Sequence, residues 1–175
     1  MAGHAGTPSP WVRRFLGGVR PGGRVLDGAC GGGRHLRLAL AQGLDVVGID
    51  RDLGGVADLA GRPGVRLIEA DLEGGAPFPL AGETFDGVVV TNYLWRPLLP
   101  ALVAAVAPAG VLVYETFGRG NERYGRPANP EFLLRPGELI EAVWPRLKPI
   151  AYEQVTLADP TRVVQRIAAV GADHV

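Results

Sequence analysis

Val25-Leu26-Asp27-Gly28-Ala29-Cys30-Gly31-Gly32-Gly33 joins a short apolar run to a run of helix formers through a glycine-rich turn. Glycine lets the backbone bend tightly and approach a ligand with no Cβ in the way. The segment that follows, from about Arg34 to Gln42, places Leu36, Ala39 and Leu40 on one helical face, and Gly43 is positioned to end it. A helix N-terminus beside such a turn presents N–H groups that favour a carboxylate or a phosphate. By itself the turn requires no more than a tight strand-to-helix connection.

The alternation continues outward from this turn. Arg24–Asp27 and Leu44–Asp50 read as strands, Leu53–Ala60 as a short helix, and Val65–Glu69 as a third strand. Phe85–Thr91 carries Val88-Val89-Val90, the continuous apolar run of a strand covered on both faces. Arg96–Ala107 fits a helix with Pro97 in its first turn, Gly110–Thr116 a fifth strand, and Pro136–Trp144 another helix. Ile150–Leu157 and Arg162–Val170 are strands around Asp159-Pro160, joined by too few residues for a parallel crossover. Upstream, Pro10–Gly17 forms a short helix with Trp11, Phe15 and Leu16 turned inward, and Arg20-Pro21-Gly22-Gly23 breaks the chain. The predicted fold is α/β: a doubly wound, mostly parallel, seven-stranded Rossmann-like sheet ending in an antiparallel hairpin.

Length and composition bound the function. The 175 residues fit one domain, 1–175, and 47% hydrophobic residues exclude a disordered chain. Eighteen basic and 18 acidic residues cancel, so no basic excess points to nucleic acid. Cys30 is the single cysteine, which rules out an internal disulfide and suits a reducing, cytoplasmic setting. The start, Met1–Arg14, has no apolar signal core, and the apolar stretch Ala101–Tyr114 is broken by Pro108 and Gly110, so no membrane segment is expected. The expected partner is a small molecule, with the protein a monomer or homodimer and no metal site.

Asp50 ends the second strand, roughly 20 residues beyond the glycine turn, where a carboxylate accepts hydrogen bonds from ribose hydroxyls. Asp27 and Asp71 put further acids on the same edge, although each also reads as a solvated strand-end residue. A dinucleotide fingerprint needs a third glycine at position 36, and Leu36 stands there. That glycine permits close packing under a pyrophosphate, a group that S-adenosylmethionine lacks. A chain of this length also leaves no room for a dehydrogenase substrate domain.

Val25–His35 resembles motif I of the class I S-adenosylmethionine-dependent methyltransferases, commonly V-L-D-L-G-C-G-T-G-R. Val46-Val47-Gly48-Ile49-Asp50 is similar to their second motif, and Ala70-Asp71-Leu72 to the adenine-flanking segment. Phe85–Val90 resembles their fourth strand, and Ala107–Val113 the L-K-P-G-G-x-L approach to the fifth. The likeness runs over about Arg24–Thr116, and the chain resembles small bacterial type-11 and tellurite-resistance-like methyltransferases. The resemblance implies Asp27 and the turn Ala29, Cys30, Gly31 and Gly33 at the methionine moiety. It implies Asp50 on the ribose with Arg51 beside it, Asp71 and Leu72 at the adenine, and Thr91, Asn92 and Tyr93 at the methionine end. Ala29 stands where the family has its first glycine, a change tolerated where φ is negative. Gly28 occupies a usually apolar position at some loss of packing.

Methyl transfer from a sulfonium needs orientation more than a covalent nucleophile, and a base only where the acceptor must lose a proton. Tyr93, His35 and Glu115 are the catalytic candidates, and His35 suits structural hydrogen bonding better. Cys30 reads as a small buried apolar residue, and His4 and His174 are discounted. Tyr93 and Trp95 are expected to wall the acceptor site, or to pack under the next helix. The segment Gly118–Leu134 lacks a regular pattern and is expected to cover the acceptor pocket. Its Arg119, Tyr124 and Arg126 would then contact an anionic small molecule; alternatively its arginines pair with Glu122 and Glu131. The N-terminal segment must supply the rest of the pocket. Besides an active enzyme, the sequence leaves open a non-catalytic S-adenosylmethionine-binding module and, third, a nicotinamide-dependent reductase.

Overall fold

The computed structural model describes residues 6–175; His4 lies outside them. Seven strands form one sheet in the order β3-β2-β1-β4-β5-β7-β6. They are β1 Arg24–Gly28, β2 Asp45–Asp50, β3 Val65–Glu69, β4 Phe85–Thr91, β5 Val106–Phe117, β6 Lys148–Leu157 and β7 Arg162–Val170. The first five pair in parallel, while β7 runs antiparallel between β5 and β6. The expected doubly wound sheet with its terminal hairpin is therefore present. The strand order reverses between β1 and β4, which opens a crevice at their carboxyl ends.

Alternation along each strand feeds two cores. Val88 and Val90 join Leu26, Leu112 and Ile167 on one face, under α3 (Leu99–Ala104) and α4 (Glu138–Val143). Val89 joins Val25, Val46 and Val113 on the other, under α1 (Pro10–Leu16) and α2 (Arg34–Ala41). Fully burying one such side chain contributes about 1.5–3 kcal/mol, so both faces stabilise the sheet between its helices. In α1 the inward residues are Trp11, Val12 and Leu16, with Phe15 only partly covered.

Several boundaries differ from the sequence reading, each for a local reason. Leu53–Ala60 contains a 3₁₀ helix, Gly54–Leu59, whose start is tied by the Asp52 carboxylate accepting from Gly54 N–H at 2.8 Å. The expected helix Arg96–Ala107 splits into a 3₁₀ turn, Arg96–Leu98, and the six-residue α3, because Pro97 and Pro100 each begin a new turn. β5 then starts earlier than expected, at Val106, with an irregular register where Pro108 and Gly110 interrupt it.

Gly118–Leu134 is more structured than its composition indicated. It contains 3₁₀ turns at Asn121–Arg123 and Pro130–Phe132, and Leu134 closes a parallel bridge to Gly118. Asn121 is buried, its amide donating to Pro127 O at 3.1 Å and its carbonyl accepting from Val163 N–H at 3.1 Å. Arg96 clamps the far end. Its guanidinium donates to Glu131 O, Leu133 O and both carboxylate oxygens of the buried Glu138. Burial opposes ionisation of Glu138, but the Arg96 hydrogen bonds and Arg135 N–H outweigh it and hold its carboxyl below the usual range.

Removing Arg96 strands a buried carboxylate, so Arg96→Ala should lower unfolding stability by about 2 kcal/mol, less than for a wholly buried pair. Urea denaturation checks this; a loss within about 0.5 kcal/mol, the level of an ordinary surface substitution, would show that the clamp is not structural.

Candidate functional site

The turn from β1 into α2 is built from left-handed residues. Ala29, Gly31 and Gly33 have φ of 57°, 51° and 74°. The condition for easy tolerance of alanine at position 29, a negative φ, is thus not met: the turn demands the left-handed geometry there, and alanine bears the strain in place of glycine. At Gly33 a Cβ would strike Val56, whereas at Gly31 it would meet open space. Gly55 packs its backbone against Gly31 and Gly32 from the side. Gly28 loses less packing than expected, since Val90 and Leu102 close over it.

Asp50 fixes this turn. Its Oδ2 accepts from Gly31 N–H at 2.8 Å and its Oδ1 from Asp52 N–H at 3.1 Å. A carboxylate has further lone pairs, so hydroxyl donors can still be accommodated. No side chain caps α2, leaving its first N–H groups toward the turn.

A cavity of about 450 Å³ lies over the carboxyl ends of four parallel strands. Ala29 follows β1, Asp50 and Arg51 end β2, Asp71 and Leu72 follow β3, and Asn92 and Tyr93 follow β4. Phe132 reaches it from the opposite side. Asp71 also caps its own turn, accepting from Glu73 N–H at 2.9 Å. Beneath the turn Asp27 is 2% exposed, and its Oδ2 has no hydrogen-bond partner among the described residues. Burial pushes the Asp27 carboxyl up to about 8, against the attraction of Arg34. An unpartnered buried carboxyl beside a glycine turn is matched to a cationic group, such as an α-ammonium.

A second cavity, of about 770 Å³, neighbours the first, and Asn92 lines both. Its walls are the segment Thr7–Pro10, Arg34, Glu115 and Phe117, and the far end of the β6–β7 hairpin. The register explains the charges here. Glu115 pairs with Arg166 across β5–β7, and Arg166 with Glu153 across β7–β6, giving one cross-strand row of alternating charge. Ser9 completes it from α1, its hydroxyl donating to Glu115 Oε1 at 2.8 Å. His35 Nε2 accepts from Ser9 N–H at 3.0 Å, and burial lowers its pKa to about 4, so it stays neutral.

The other predicted site residues are spread out. Cys30 faces the core against Gly48, with burial raising its thiol to about 12, which fits the packing role expected of it. Thr91 accepts from Arg34 at 3.4 Å beside Asn92. The Tyr93 hydroxyl is buried without a hydrogen-bond partner among the described residues, and burial raises its pKa. Trp95 lines a groove with Phe78 and Ala101 that adjoins the first cavity, sharing Asp71, Leu72 and Glu73 with it. Arg126 lies in a groove with Phe117 and Phe132, while Arg119 and Tyr124 line neither main cavity. The alternative pairing of that segment's arginines with Glu122 and Glu131 is absent among the described residues. Ser9, Arg162 and Arg166 were not singled out from sequence, because their meeting depends on hairpin register.

Residues 25–109 match the family described as a methyltransferase domain. In this stretch and in its sheet order the chain is similar to class I, S-adenosylmethionine-dependent methyltransferases. It is 31% identical over 124 residues to demethylmenaquinone methyltransferase of Renibacterium salmoninarum, covering 67% of this chain and 51% of that protein. The chain thus spans about half the length of that curated relative. Among solved structures it is similar to TehB from Haemophilus influenzae, with TM-score 0.72 and 18% identity over 96% of this chain and 64% of that one. A S-adenosylmethionine-dependent methyltransferase from Mesorhizobium loti gives TM-score 0.71 and 20% identity over 92% and 96%. At these identities the two structures establish a shared fold.

The residues present fit S-adenosylmethionine placed as the resemblance implies: Asp27 and the glycine turn would meet the methionine end, Asp50 the ribose, and Asp71 and Leu72 the base. Ionised Asp27 favours a cationic ligand, so S-adenosylhomocysteine affinity should rise from pH 6 to 8, with proton release on binding. Asp27→Asn should flatten that dependence in calorimetry; an unchanged slope would assign the titration elsewhere. Ala29→Gly should raise stability by about 0.5–1 kcal/mol by removing a left-handed alanine, as read by urea denaturation; a loss would show that the strain is not there.

Proposed function

We propose that this domain transfers a methyl group from S-adenosylmethionine to a small-molecule acceptor that enters through the larger cavity. The observation that carries this reading is that Asn92 lines both cavities, one bounded by the strand-end acids and the other by Thr7–Pro10 and the hairpin. Bound S-adenosylmethionine supplies an electrophilic methyl on sulfur, displaced in line as the C–S electron pair returns to sulfur. The contribution of the chain is to hold and orient, which is where most of the acceleration of such a displacement can come from.

Each candidate base is either engaged or held protonated. Glu115 has one oxygen on Ser9 and the other on Arg166. His35 accepts from Ser9 N–H and is neutral at physiological pH. Burial holds Tyr93 as the phenol. Catalysis here therefore favours an acceptor that arrives with a free lone pair or already ionised.

Calorimetry should detect S-adenosylhomocysteine binding, and Asp50→Ala should weaken it at least about tenfold, the loss of charge-assisted hydrogen bonds. Turnover followed as S-adenosylhomocysteine release over a panel of acceptors tests the transfer. Absence of any binding sinks the donor assignment. Binding with no turnover on any acceptor would instead indicate a non-catalytic domain.

A further inference from the structure

Resting on the larger cavity as the acceptor site, we infer that the acceptor is a small carboxylic acid with an apolar body, its carboxylate held by Arg162. The cavity contains three arginines, Arg34, Arg162 and Arg166, and two acids, Glu115 and Asp159. Arg166 is not available to a ligand. It is bonded to Glu115 at 3.1 Å and Glu153 at 2.6 Å, and its guanidinium stacks on the Trp11 ring at 4.7 Å. Both oxygens of Glu115 are taken, by Ser9 and by Arg166.

Arg34 and Arg162 are different. Neither has a carboxylate within 4.0 Å among the described residues. Arg34 donates to Thr7 O and Thr91 Oγ1, and Arg162 only to Pro160 O at 3.1 Å. A guanidinium carries five N–H donors in a planar fork suited to a carboxylate, so Arg162 keeps most of its capacity unused. Asp159, in the hairpin turn, is the one carboxylate facing these two arginines. With Glu153 counted on Arg166 the charges around the cavity balance, so it is the unused donors of Arg162 that favour an anion. Between the charges the walls are apolar: Pro8, Pro10, Phe117, Leu157 and Pro160. Arg34 sits at the inner end, beside Asn92, and adds to the potential that draws an anion inward. A carboxylic acid is ionised at neutral pH, in keeping with a site whose candidate bases are engaged or held protonated.

Benzoate and its neutral analogue benzamide, titrated into the protein loaded with S-adenosylhomocysteine, test this. Benzoate should bind at least about tenfold more tightly, the difference made by one charge-assisted contact. Arg162→Gln should erase that preference while leaving S-adenosylhomocysteine affinity unchanged. Asp159→Asn should tighten benzoate, a gain that a misfolded variant cannot mimic. Equal binding of the two probes, no benzoate binding, or an unaffected Arg162→Gln variant would overturn the inference while leaving the donor site intact. Failure of S-adenosylhomocysteine itself to bind would remove the methyltransferase reading, and this inference with it.

Discussion

The hydrogen bond from Gly31 N–H to the Asp50 carboxylate, at 2.8 Å, ties the end of β2 to the turn after β1. The turn must reverse the chain from a buried strand into α2 within a few residues. It does so with left-handed residues at Ala29, Gly31 and Gly33, a geometry that L-residues resist. A strained loop of this kind keeps one shape only when its surroundings over-determine it. Asp50 supplies that restraint from one side, and the backbone of Gly55 from another. The glycine turn, the first N–H groups of α2 and the strand-end acids are consequently held in one frame around the smaller cavity.

The second organising feature is the placement of β7 between β5 and β6. Antiparallel pairing sets Glu115, Arg166 and Glu153 side by side, so one guanidinium bridges two carboxylates across three strands. Through Ser9 the same row anchors the start of α1, and through His35 it reaches the first turn of α2. The element that follows the glycine turn therefore also holds the wall of the larger cavity.

Polar groups at this site divide by whether the fold satisfies them. Glu115, Arg166, Ser9 and His35 satisfy one another and are structural in that sense. Asp27, Arg34 and Arg162 lack oppositely charged partners, and burying or half-burying such groups without one is unfavourable. Their charges, an acid under the glycine turn and cations in the larger cavity, are complementary to an ammonium and a carboxylate respectively.

The order of strands and the hairpin were legible because period and spacing are local properties. Val88-Val89-Val90 declares a strand covered on both faces, and the short Asp159-Pro160 link forbids a parallel crossover. The acids Asp27, Asp50 and Asp71 could be placed on one edge because each ends or follows a parallel strand. Boundaries set by competing local chemistry were not legible, as where Pro97 and Pro100 divide a single expected helix. Nor was the sign of φ at Ala29, which the turn imposes against the preference of the residue. The segment Gly118–Leu134 looked structureless because its order comes from Arg96, Asn121 and Val163, residues that sequence spacing does not bring together. By itself the sequence determined the sheet, the glycine turn and the acids that follow each strand, since these depend on neighbours along the chain. Only the tertiary structure decided which arginines are spent on ion pairs and which stay open to a ligand, because pairing across β5, β7 and β6 depends on register between distant strands.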